Sequence, residues 1–170
     1  MKLENIVGEE LAMPYYQNFI TKDKEVEIFM FLSKYMIDNC GMFRNETKNR
    51  NNIFRFGSKF PYPTNHTELP IPDIFNNILP PGTEFSSVTI NEYYPGQIID
   101  YHVDAPPMEK IYILSLCSPA TLKFRNKKNK DEIIEFDLEQ FSLMVLEGKL
   151  RWNYEHSLEA NEYRISVVFR

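Results

Sequence analysis

FSSVTINEYYPGQIIDYHVD, residues 85–104, decides how the second half of the chain is read. From residue 84 onward apolar and polar residues alternate with period two, the mark of a β-strand. Tyr94-Pro95-Gly96 then marks a turn, because Pro sets φ and Gly accepts a positive φ. The chain emerges into a segment ending His102-Val103-Asp104. Side chains at i and i+2 of an extended segment point to the same side, so His102 and Asp104 converge on one point.

Working outward, residues 109–118, 120–126, 132–139, 141–148 and 163–170 also read as strands, separated by turn signals at short intervals. Several short strands in a row predict a β-sandwich or jelly roll. Upstream, residues 21–40 read as a helix that covers a sheet. Phe29, Leu32, Met36 and Cys40 share one face, Thr21 is its N-cap and Gly41 its stop. Residues 70–82 hold a short helix closed by Pro80, Pro81 and Gly82. In IFRFGSKFPYP (53–63), Phe54, Phe56, Phe60 and Tyr62 sit on alternating positions around a turn or bulge at Gly57. One reading packs these rings inward as an ordinary hairpin; the other makes them a lid over a pocket.

The chain has 170 residues, enough for one domain with a substantial core, and we expect a single domain over 1–170. Helical support and a lid occupy 21–82, and the β core 84–170. With 43% hydrophobic and 14% aromatic residues the chain is globular rather than disordered. A net charge of −5 argues against a strongly electrostatic nucleic-acid binder, without excluding a local basic groove. Lys127, Lys128 and Lys130 read as a solvated hairpin tip. Cys40 and Cys117 form no CxxC pair, which fits a reducing compartment; Cys117, in an apolar run, reads as core rather than nucleophile. MKLENIVGEE (1–10) has no apolar signal region and no apolar run reaches membrane-spanning length. The expectation is an intracellular protein, cytoplasmic or nuclear, monomeric and not membrane-bound.

An HxD pair alone is common. A third ligand must come from elsewhere, and only His66 and His156 remain among three histidines. His66 lies in a Pro- and Asn-rich loop and reads as exposed. His156 falls between the strand at 141–148 and the last strand. Strands distant in sequence lie side by side in a sandwich, so His156 can join His102 and Asp104. Two histidines and a carboxylate on one face of an octahedron leave three positions open, the arrangement of non-haem Fe(II) oxygenases. The last strand adds a second signal. Ile165, Val167 and Phe169 face one way, Arg164, Ser166, Val168 and Arg170 the other. Two inward arginines are costly unless an anion meets them, and a guanidinium pairs best with a carboxylate. A dicarboxylate such as 2-oxoglutarate meets that need, one end at the iron and the other at Arg164.

Asn91, Tyr93, Gly96, Ile99, His102 and Asp104, followed by His156 and the Arg164–Arg170 spacing, resemble the signature of AlkB-type Fe(II)/2-oxoglutarate dioxygenases. The resemblance is strongest over 86–125 and 141–170. It implies an α+β, mainly β fold: a double-stranded β-helix, or jelly roll, with supporting N-terminal helices. It implies Fe(II) as cofactor with 2-oxoglutarate and O2 as cosubstrates. Tyr93 and Arg164 would hold the distal carboxylate, while Asn91 and Arg170 would lie near the metal-bound end or the substrate edge. Ser166 stands where the family often has asparagine, which puts one cosubstrate hydrogen bond in doubt.

The same resemblance implies oxidative demethylation or hydroxylation of alkylated bases, with DNA or RNA as partner. Phe56, Phe60 and Tyr62 would grip a flipped base, and Arg55 or Lys59 would touch phosphate. Two other readings compete: a dioxygenase of this fold acting on a protein side chain or small molecule, which the acidic balance favours, and an inactive binding module, which would have lost a ligand or an arginine.

Overall fold

The computed structural model describes residues 2–4, 10–38, 52–57, 69–104 and 108–170. In chain order these form β1 (Lys2–Glu4), β2 (Glu10–Ala12), β3 (Tyr15–Tyr16), helix α1 (Lys22–Asp38), β4 (Asn52–Gly57), a 3₁₀ turn (Asp73–Phe75), β5 (Ser87–Tyr93), β6 (Ile98–His102), β7 (Ile111–Leu116), β8 (Ala120–Asn126), β9 (Ile133–Leu138), β10 (Leu143–Leu146), helix α2 (Gly148–Asn153), β11 (Tyr154–Glu159) and β12 (Arg164–Phe169). Two antiparallel sheets face each other, one ordered β3-β10-β7-β12-β5-β4 and the other β6-β11-β8-β9. This is the jelly roll that the period-two pattern predicts. The N-terminal support is smaller than expected: among the described residues it is one α-helix and one 3₁₀ turn.

Alternation along the strands builds two apolar cores. Between the sheets lie Ile113, Met144 and Val168 from the larger one, packed on Leu122, Phe124, Phe136 and Leu158 from the smaller. Behind the larger sheet, Val88, Ile90, Leu114, Ile165, Val167 and Phe169 meet Ile28 and Leu32 of α1. Each such buried side chain stabilises by about 2 kcal/mol. The Thr21 hydroxyl accepts the Lys24 N–H at 3.2 Å, capping α1 as expected. The buried stripe of α1, however, runs through Glu25, Ile28 and Leu32, while Phe29 is half-buried at its margin. A polar residue at position 25 hid the true axis of the stripe.

The Tyr94-Pro95-Gly96-Gln97 turn is type II. The Gln97 N–H donates to the Tyr94 carbonyl at 3.0 Å, and Gly96 has φ +84°. It does not close a hairpin. β5 belongs to the larger sheet and β6 to the smaller, so the turn is a corner between layers. β11 was not anticipated as a strand, although Tyr154, His156 and Leu158 alternate with outward Glu155 and Glu159.

Lys127, Lys128 and Lys130 sit exposed at the β8–β9 tip, as read from the sequence. Lys127 donates to the Trp152 carbonyl at 2.8 Å, and Lys130 pairs with Glu155 at 2.6 Å. Cys117 is half-buried beside the core behind the larger sheet, and burial, with Glu25 nearby, pushes its thiol up to about 11, which fits a packing role rather than a nucleophile. No helix among the described residues is long and apolar enough to cross a membrane.

Candidate metal and cosubstrate site

β6 and β11 pair antiparallel with His102 directly opposite His156. The register then jumps to Ile99 opposite Leu158, three steps on β6 against two on β11. This β-bulge lets Ile99 and His102 both face inward, which strict alternation would forbid. Asp104 follows just beyond the strand. One ligand atom from each of His102, Asp104 and His156 lies within 4.8 Å of the others. The imidazole rings are 4.3 Å apart, and His156 Nε2 lies 3.5 Å from Asp104 Oδ2.

Neighbouring groups orient each of the three. His102 Nδ1 lies 2.8 Å from the Asp100 carbonyl. A carbonyl only accepts, so Nδ1 is the donor here, which leaves Nε2 as the nitrogen that can face a metal. Arg170 Nη2 donates to Asp104 Oδ1 at 2.6 Å, and its Nη1 donates to Thr89 Oγ1 at 3.0 Å. Burial pushes the Asp104 carboxyl up, but Arg170 and the two imidazoles overcome it and hold it at about 2. For His156, burial first and then the His102 charge depress the imidazole to about 4, so it is neutral at physiological pH. An ionised Asp104 carboxylate and a neutral His156 imidazole are the forms that bind a metal.

The three groups face a cavity of about 340 Å³, whose wall also includes Arg55, Asn91, Tyr93, Ser166 and Arg170. The β5–β12 register sets this wall, pairing Asn91 with Ser166 and Tyr93 with Arg164. Asn91 Nδ2 donates to Ser166 Oγ at 3.3 Å. Arg164 is fully buried two residues from Ser166 on the same face of β12, but it is not part of the cavity wall. Its Nη1 donates to the Ser118 carbonyl at 2.9 Å and its Nη2 to Ser115 Oγ at 2.8 Å. Among the described residues no carboxylate pairs with it, and burial lowers its guanidinium to about 10. The Nε atoms of Arg164 and Arg170 are buried with no hydrogen-bond partner. Such donors are costly unless an anion reaches them.

Phe56 is a correction. It is 1% exposed and packs against Tyr35 and Phe75 in the core behind the larger sheet, facing away from the cavity. Alternation along β4 sends Phe54 and Phe56 to that core and Arg55 to the cavity side. The ordinary packing therefore holds for both rings. Lys59, Phe60, Tyr62 and His66 lie outside the described residues. The sequence reading missed Thr89, although it shares the face of Asn91 and Tyr93 by period two. It also missed the Asp100 and Ser118 carbonyls, which as backbone groups leave no side-chain signal.

A jelly roll with two imidazoles and a carboxylate at the mouth of an arginine-backed cavity defines a class of metal-dependent oxygenase. Residues 13–170 match the family described as the 2OG-Fe(II) oxygenase superfamily. The solved structure of OsALKBH1 superposes with a TM-score of 0.75 at 17% identity, covering 95% of this chain and 100% of that one, a likeness of fold. Over 81 residues, 48% of its length, this chain is 31% identical to the tRNA (carboxymethyluridine(34)-5-O)-methyltransferase alkbh8 of Xenopus tropicalis; the match spans 13% of that protein's length. The chain belongs to the 2OG-Fe(II) oxygenase superfamily, a family of oxidoreductases whose cofactor set is Fe(II) with 2-oxoglutarate and O2, and its fold is similar to that of an AlkB homologue.

Proposed function

We propose that this chain hydroxylates or oxidatively demethylates modified bases in DNA or RNA, with His102, Asp104 and His156 holding the iron. The observation that carries this reading is the meeting of three ligands, from β6, the segment after it and β11, at one point on the cavity. The donor set fits a divalent first-row ion. Bound iron supplies the oxidant, coupling decarboxylation of 2-oxoglutarate by O2 to hydroxylation of a substrate C–H bond. A hydroxylated N-methyl group then leaves as formaldehyde and returns the proton-bearing nitrogen.

The protein's own contribution is to orient and to exclude water. Asp100 fixes the His102 ring through its carbonyl. Arg170 keeps Asp104 ionised and turns one oxygen away, leaving Oδ2 facing His156. Arg164 supplies the buried cation for the distal carboxylate of 2-oxoglutarate, with Tyr93 beside it; reaching it requires passage beyond the present cavity wall at Tyr93 and Ser166. Asn91, Ser166 and Arg170 lie toward the metal end.

A nucleic-acid substrate is supported by the AlkB-like relatives, one of which acts on tRNA by its name, and by Arg55 on the cavity wall, where it can meet phosphate. The net charge of −5 favours the second reading, a protein side chain or small molecule as substrate. An inactive module, which would have lost a ligand or an arginine, is disfavoured, since the three candidate ligands lie together and the chain keeps both arginines. A panel of methylated DNA and RNA oligonucleotides, assayed for formaldehyde and succinate, tests the proposal. Formaldehyde released in step with succinate supports it; succinate from uncoupled 2-oxoglutarate turnover alone contradicts it.

A further inference from the structure

Helix α1 lies behind the larger sheet, on the far side from the cavity, and nothing in the proposed chemistry uses it. It nonetheless carries a buried carboxylate. Glu25, 8% exposed, is the polar interruption in the α1 stripe. Its Oε1 accepts the Cys117 backbone N–H at 2.7 Å, and Gln140 Nε2 donates to Oε1 at 3.0 Å and Oε2 at 2.8 Å. These are neutral donors, and among the described residues no cation pairs with the carboxylate. It ties together two loops, the one after β7 and the one before β10.

Both loops hold a residue in the left-handed region, Cys117 at φ +73° and Phe141 at φ +65°. That conformation is unfavourable for residues with a Cβ and persists only where surroundings enforce it. The next residue after Cys117 is Ser118, whose carbonyl accepts Arg164 Nη1 at 2.9 Å. The loop before β10 braces the other acceptor: Ser115 of β7, whose hydroxyl accepts Arg164 Nη2 at 2.8 Å, donates its N–H to the Ser142 carbonyl at 2.9 Å, and its own carbonyl accepts the Phe141 N–H. Each acceptor that aims the Arg164 fork is thus one step from a loop that Glu25 clamps. If Cys117 relaxed to an ordinary φ, the Ser118 carbonyl would rotate away and the guanidinium would lose its fixed direction.

We infer that Glu25 is a positioning residue for the 2-oxoglutarate anchor: through the Cys117 and Gln140 contacts it fixes the two acceptors that aim Arg164. The inference rests on the reading of Arg164 as that anchor. It makes α1 part of the cosubstrate site without touching the ligand.

Calorimetric titration of 2-oxoglutarate into the Mn(II)-loaded full chain tests it, with Mn(II) affinity and thermal stability measured alongside. For Glu25→Ala we expect 2-oxoglutarate binding weakened about tenfold, the loss of roughly one charged hydrogen bond, with Mn(II) affinity unchanged. Glu25→Gln keeps an acceptor for the Cys117 N–H but opposes its amide to Gln140, so its loss is smaller, about threefold on the same basis. It also provides the readout should the alanine variant not fold. Ile28→Val, a small apolar change on the same helix that removes no hydrogen bond to either loop, lowers stability and leaves the affinity for 2-oxoglutarate unchanged. In turnover, KM for 2-oxoglutarate rises in the Glu25 variants while kcat holds. Wild-type affinity in a folded Glu25→Ala or Glu25→Gln variant overturns the inference alone, as does an equal loss in Ile28→Val. Absence of 2-oxoglutarate binding in the wild type overturns the site reading, and this inference with it.

Discussion

Asp104 and His156 respond to acid in opposite senses of charge but with the same sign in stability. In metal-free protein His156 has a folded value of about 4 against an ordinary 6.5, so the unfolded chain takes up a proton first. Stability is whole above 6.5, falls as pH drops toward 4, and by then has lost on the order of 3 kcal/mol. Asp104, held at about 2 against an ordinary 3.8, adds stability above 3.8 that is lost as pH falls through 2. Urea unfolding in EDTA at pH 7, 5.5 and 4 checks the upper window: the slope attributed to His156 is absent in His156→Gln. Arg164→Met gives a sharper test. A buried cation without a carboxylate partner costs stability, so the metal-free variant melts no lower than wild type, while its KM for 2-oxoglutarate rises at least about tenfold. The candidate ligands His102 and Asp104 and the two arginines were legible from residue type and period two, and His156 from the scarcity of histidine. The proton on His102 Nδ1 was not, because it depends on a backbone carbonyl.

Among elements, the strands that read clearly were those with apolar residues on every second position. β11 was hidden because His156 interrupts its apolar face, and the bulge in β6 because an extra residue leaves no mark in composition. Yet that bulge brings Ile99 and His102 to one side. Two glycines separate backbone strain from crowding. Gly96 has φ +84° with open space where a Cβ would stand, so Gly96→Ala costs about 1 kcal/mol from conformation alone. At Gly57, φ is +82° and a Cβ would stand 2.2 Å from the Ser86 carbonyl oxygen. Gly57→Ala therefore costs several times more, since β4 must move off its neighbour. Denaturant midpoints of the two variants give the ranking directly.

At the scale of the molecule, the β core carries the site on rigid strands, and its two faces explain what the aromatic segment could not reveal alone. Phe54 and Phe56 belong to the core behind the sheet, while Arg55 between them reaches the cavity. The period was legible; which face met the cavity was not, since that depends on β4 pairing with β5 at the sheet edge. Arg55→Ala is expected to weaken oligonucleotide binding and reduce its salt dependence by about one counterion, with mononucleoside turnover unchanged. Affinity titrations between 50 and 200 mM salt, a range of about fourfold, would measure it. The most direct measurement of the whole site is a crystal structure of the full chain with Mn(II) and 2-oxoglutarate. It should place the metal on His102, Asp104 and His156, with the far carboxylate of the keto acid against Arg164. A metal bound elsewhere, or a keto acid that leaves Arg164 untouched, would contradict it.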